Sequence, residues 1–295
     1  MKKQQTEHET AQPEPGNALT VAPAAGELIA APALLAQFAA LAGQGMENVT
    51  QDAMAIPFLR LLQAKSPEVE NDPDNYKPGM LVHAITGDRY DIREKGGNPL
   101  PFLQCHFDKQ IVQWGDRDLG RGGLKKRYPC TSAALTKLNN LPRNEKNKIL
   151  APDGSGDTLE ETAYHYMVLL PASGPVVGVL PLKSTGLTPS KKLMRTVDNQ
   201  VMTLPGGKTF KPPTFAKVYA IQSFLDKQKT GAQNTFMNVR FALVGTVTDE
   251  ASFAAAQAFY ESIQNGVAKL DDEQEAGQAG HDAPDSTGSD SDVPF

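Results

Sequence analysis

Cysteine is nearly absent from this chain: Cys105 and Cys130 are the only two in 295 residues. Two thiols cannot staple a fold, so stability must come from apolar burial, and a reducing compartment is the default. They do not make a zinc site either. No Cys-x2-Cys pair exists, and on a strand the adjacent Cys105 and His106 point to opposite faces. No metal and no other cofactor is expected. Tryptophan occurs once, at Trp114. No apolar run reaches membrane length. The alanine-rich stretch over residues 19–41 is broken by Pro23 and Pro32 and lacks the charged-then-apolar order of a signal peptide. A cytoplasmic protein without membrane contact is therefore expected. Gly-x-Ser-x-Gly, His-Glu-x-x-His, dinucleotide glycine and Gly-x4-Gly-Lys-Ser/Thr patterns are all missing, so no enzyme is expected.

Positive charge is missing from the last 25 residues. Residues 271–295 hold eight Asp and Glu and no Lys or Arg, which hides a basic middle behind a net charge of -5. Residues 109–217 carry seventeen Lys and Arg against eight Asp and Glu, a net of +9. A basic body with an acidic tail points to a nucleic-acid partner.

Residues 1–45 are rich in Gln, Glu, Pro, Thr and Ala, with one weak alanine-rich helical stretch. They are expected to form a disordered or weakly helical arm, and 271–295 a disordered acidic tail. Between them, 46–270 reads as one DNA-binding domain. Residues 80–85 and 100–114 are strand-like. Residues 163–170 and 176–182 form a hairpin around Ser173 and Gly174. A helix over 188–202, capped by Thr188 or Ser190, carries Leu193, Met194, Val197 and Val201. Strands over 215–224 and 236–247 follow, and then a helix from Asp249 with an apolar stripe of Phe253, Ala256, Phe259, Tyr260 and Ile263. Three strand regions, a helix and two more strands is the order of an OB-fold. The expected class is mainly β with flanking helices, an OB-fold-like five-stranded barrel with disordered extensions.

Such barrels hold single strands by stacking bases on aromatics and tracking phosphates with Lys and Arg. In the strand over 163–170, Tyr164 and Tyr166 share one face; they either stack bases or shield the sheet, under the last helix for instance. In the strand over 236–247, Phe236, Asn238 and Arg240 share the face opposite Met237, Val239, Phe241 and Leu243. The glycine-rich segment after Trp114 carries Arg117, Arg121, Lys125, Lys126, Arg127 and Tyr128, suited to following a phosphate backbone; Trp114 itself is either a platform or a core anchor. Arg143, Lys146 and Lys148 form a second basic cluster. Lys183, Lys191, Lys192 and Arg195 form a third at the start of the 188–202 helix. Any one cluster matches an ordinary charged surface; the three together favour DNA.

The chain ends Asp290-Ser291-Asp292-Val293-Pro294-Phe295. This tip resembles the acidic, Phe-terminated tip of bacterial single-stranded-DNA-binding proteins, which reads Asp-Ile-Pro-Phe, and the tails of phage proteins of that class. The resemblance covers the tip and the tail composition, and the body does not align. It implies a phage-type single-stranded-DNA-binding protein of replication, recombination and repair, working in the bacterial host cytoplasm, with a homo-oligomer as one expected state. Asp290, Asp292, Val293, Pro294 and Phe295 would then dock on replication or recombination proteins. A strand-annealing recombination mediator and a phage interaction protein without DNA contact are the alternatives.

Overall fold

The computed structural model describes residues 55–116, 122–145, 147–227 and 235–270, which belong to a single unit of the fold. The expected arm over 1–45 and tail over 271–295 lie outside the described residues. The elements in chain order are β1 (Leu59–Leu61), α1 (Pro67–Asn71), β2 (Leu81–His83), β3 (Arg89–Tyr90), β4 (Leu100–Trp114), β5 (Leu124–Pro129), α2 (Ser132–Asn139), β6 (Ile149–Leu150), β7 (Thr158–Leu169), β8 (Val176–Lys183), α3 (Leu187–Asp198), β9 (Met202–Thr203), β10 (Thr209–Phe210), β11 (Lys217–Lys227), β12 (Thr235–Thr246) and α4 (Glu250–Gln264). Every named strand pair is antiparallel, and the class is mainly β, as expected.

β4 is the hub. Along one side it pairs with β7 from Phe102 to Trp114. On the other side its first residues pair with β11 and its last with β5. The register shifts between Gln104 and His106, so Cys105 is the extra residue of a bulge, and such a bulge bends a long strand. β7 carries β8 on its far side and β11 carries β12. The resulting order is β8-β7-β4-β11-β12. Among the described residues β8 and β12 do not pair, so a closed barrel is not found. The N-terminal segment reaches both free edges instead. The Val179 N–H donates to the Pro57 carbonyl at 2.9 Å, and the Gln63 carboxamide bonds to Met237 of β12. β1 lies so close to β8 that a Cβ on Gly178 would sit 2.7 Å from Leu59 Cγ.

Two apolar clusters cover the two faces of the sheet. One joins Phe102, Met167, Leu169, Tyr219, Ile221 and Val239 to Leu193 and Val197 of α3. The other joins Leu103, Trp114, Tyr164, Tyr166 and Val168 to Phe58, Phe215 and, from α4, Ala256 and Phe259. Each helix buries part of the stripe its spacing supplies: α3 buries Leu193 and Val197 but ends at Asp198, leaving Val201 exposed beyond it, and α4 buries Ala256 and Phe259, with Phe253 and Ile263 half-buried and Tyr260 exposed. α4 starts where the sequence places it: Asp249 accepts from the Ser252 N–H at 2.7 Å. α3 differs. It begins at Leu187 after a 3-10 turn, and Ser190 lies inside it, buried, rather than capping it. The stretch over 131–157, to which the sequence pattern assigns no element, contains α2, capped by Thr131, and the short β6.

Candidate functional site

A side chain on β7 can face only two ways, and both are covered. Tyr164 is fully buried and Tyr166 nearly so, against α4 and the N-terminal segment, while His165 and Met167 are buried on the opposite face. Of the two readings of these tyrosines, the structure has the shielding one: both rings are buried beneath α4 and the N-terminal segment, and neither is an exposed stacking platform. Arg127 explains part of the Tyr164 environment. Its Nη1 donates to Tyr164 Oη at 2.9 Å and its guanidinium lies 5.4 Å from the ring centroid. Trp114 is 8 % exposed, a core anchor with Lys183 Nζ 5.6 Å above its ring.

His165 is held by a polar chain. Gln104 Nε2 donates to the carbonyls of His106 and Tyr166, which leaves Gln104 Oε1 to accept from His165 Nδ1 at 3.1 Å. Nδ1 therefore carries the proton, and Nε2 accepts from Ser190 Oγ at 2.8 Å. This ties α3 to the sheet. Burial pushes the His165 pKa down to about 3, so the ring stays neutral and the chain of bonds stays intact at pH 7.

α3, so fixed, forms one wall of a cleft of about 700 Å³ whose other wall is β12. Lys192 enters it from α3, Lys227 from β11 and Arg240 from β12, with Phe224 and Phe236. Asp226 is the one carboxylate among its lining residues. Gln222 accepts from the Arg240 Nη2 at 2.7 Å and Glu94 at 2.8 Å, with Phe224 6.0 Å from the guanidinium; these contacts hold the arginine in place at the surface. Asn238 Nδ2 donates to Asp226 at 3.1 Å, and its Oδ1 accepts from the Val239 N–H. Tyr219 is buried at the base of the cleft. Its hydroxyl has no hydrogen-bond partner among the described residues, and burial pushes its pKa up to about 12.

A second groove of about 1060 Å³ shares Thr185, Phe236 and Asn238 with the cleft. It gathers Arg60, Arg143, Lys148 and Lys183, but also Asp116, Glu145, Glu160 and Glu161, so its charges balance. The smaller cleft is the more cationic of the two.

Of the residues expected from the sequence, Lys192, Phe236 and Arg240 meet in the cleft, and Trp114 and Lys183 line the groove with Phe236. Lys191 and Arg195 are exposed on α3 and line neither. Lys125, Lys126, Arg127 and Tyr128 lie on β5. Lys126 sits 5.0 Å from the Tyr128 ring, and Tyr128 Oη donates to Gln113 at 2.8 Å. Arg117 and Arg121 fall outside the described residues, as do Asp290, Asp292, Val293, Pro294 and Phe295. Sequence reasoning missed Phe224 and Lys227. The signal for Phe224 was the even-numbered set Gln222, Phe224 and Asp226 on β11, which faces Arg240, Asn238 and Phe236 across the pair; Lys227, opposite Thr235, lies outside that set.

Among the described residues no His, Cys, Asp and Glu group is placed to hold a metal ion, and no helix is long and apolar enough to cross a membrane. No curated protein and no solved structure matches the chain. One family model does match, over residues 24–269, which takes in every described strand and helix, and by that match the chain belongs to the Pam3 phage gp34-like protein family.

Proposed function

We propose that the protein binds single-stranded DNA without strong sequence preference and without catalysing a reaction, and that the strand lies in the α3–β12 cleft. The observation that carries this reading is the convergence of Lys192, Lys227 and Arg240, from three elements, on one cleft that is also lined by the half-buried rings of Phe224 and Phe236. Cations track phosphates and aromatic rings take bases. The strand order gives further support. β8-β7-β4-β11-β12, with α3 between the third and fourth of these strands in the chain, is consistent with the strand order of an OB-fold, without the contact that would close a barrel. The phage family and the acidic tail with its Asp292-Val293-Pro294-Phe295 tip fit the same setting, with the tip recruiting replication proteins.

Fluorescence anisotropy of a labelled oligo-dT, competed with unlabelled single strand or duplex, tests the reading. Saturable binding that single strand competes away and duplex does not is the expected result. Failure to bind oligo-dT at low salt would overturn it.

A further inference from the structure

β12 has an open edge along the cleft, and one of its residues already displays how that edge is read. The Met237 N–H donates to Gln63 Oε1 at 2.8 Å, and Gln63 Nε2 donates to the Met237 carbonyl at 3.0 Å. A carboxamide thus docks on β12 with two hydrogen bonds, and both backbone groups of Met237 must point away from β11. In an antiparallel strand that direction repeats every second residue, about 7 Å apart. At Val239 the outward N–H is already taken by Asn238 Oδ1 at 2.9 Å. Phe241 is the next complete N–H and C=O pair, and Leu243 follows. Among the described residues neither pair has a hydrogen-bond partner on that side, since β12 pairs only with β11. Both residues line the cleft, beside Lys192, Leu193 and Arg240, and Leu243 is 44 % exposed.

We propose that the β12 edge at Phe241, continued at Leu243, reads the Watson–Crick edge of unpaired nucleobases as Met237 reads the Gln63 amide. This rests on the single-strand reading above and gives it a physical basis. Thymine and guanine present a ring N–H beside a carbonyl, the same donor–acceptor geometry as a carboxamide. Adenine and cytosine present an amino group beside a ring nitrogen, which also offers one donor and one acceptor. Every base can therefore dock on a backbone N–H and C=O, so the contact tolerates any sequence. In a duplex these edges are already engaged in base pairing, so the contact selects single strands. The apolar walls supplied by Leu193 and Val239 shield the bonds from water, while Lys192 and Arg240 are placed for phosphates.

The test uses the full-length chain and two labelled oligonucleotides, dT and the same sequence with N3-methylthymine at every position. The methyl group removes the donor and blocks the edge while leaving phosphates and ring faces in place. Binding of the methylated strand should be weaker by about tenfold, the scale of one to two net hydrogen bonds. Amide hydrogen exchange at Phe241 and Leu243 should slow on adding dT and not on adding the methylated strand. Equal affinity for the two strands overturns this inference and leaves the single-strand reading standing. Binding of neither removes both. Protection of the two amides before any DNA is added would show the edge already occupied, and would also overturn the inference.

Discussion

His165 Nε2 accepts a hydrogen bond from Ser190 Oγ at 2.8 Å, with both residues buried, and this contact fastens α3 to the sheet. Replacing Ser190 by Ala removes the donor and leaves the ring nitrogen unsatisfied, which costs ~1–3 kcal/mol. Urea denaturation of the S190A protein should show a lower midpoint at an unchanged slope.

The same histidine makes stability depend on pH. Its folded pKa is about 3 against an ordinary 6.5, so below 6.5 the unfolded chain takes up a proton that the folded chain refuses. Its contribution is complete above 6.5 and is lost as pH falls toward 3, at up to ~1.4 kcal/mol per unit. Thermal melts of wild type and His165→Asn between pH 7 and 4 read this directly. The wild-type melting temperature should fall with acid more steeply than that of the variant.

Tyr164 and the cleft cations should separate in their effects. Tyr164→Phe keeps the buried ring and loses the bond from Arg127, so it should cost ~1 kcal/mol of stability and leave oligo-dT affinity unchanged. Lys192→Ala, Lys227→Ala and Arg240→Ala should each weaken oligo-dT binding and lower the dependence of log K on log salt by up to ~1, as expected for one lost phosphate contact. Anisotropy titrations over a range of salt concentrations check both.

The contrast between these residues marks what the sequence could and could not reveal. The long strands, the hairpin, α3 and α4 follow from apolar spacing and turn residues, and Asp249 caps α4 as its position implies. The alternation on β12 likewise sets Phe236 and Arg240 on one side. Alternation on β7 defines two faces, but whether either is exposed depends on what α3, α4 and the N-terminal segment cover. That is a long-range fact, so Tyr164 looks the same in sequence whether it is a platform or a core residue. The open seam between β8 and β12 is hidden for the same reason, because a pattern of strands does not state which edges pair. Leu243, an apolar residue in register with the core, is exposed because it lies on that unpaired edge.

The two thiols should differ in reactivity. Cys105 is buried in the β4 bulge, and burial pushes its pKa up to about 12; Cys130 is half-buried, its pKa raised less far. A native-state titration with a chromogenic disulfide reagent at pH 8 should modify Cys130 slowly and Cys105 only after denaturation. Loss of the Cys130→Ser thiol should abolish the native signal.

The most direct measurement is photo-crosslinking of the full-length chain to a single strand carrying 5-iododeoxyuridine, followed by mapping of the adducts. With the strand in the α3–β12 cleft, adducts fall on peptides containing Phe224 or Phe236, and Lys192→Glu with Lys227→Glu removes them. Adducts confined to other parts of the chain, or none under conditions where a known single-strand binder is labelled, would contradict the account.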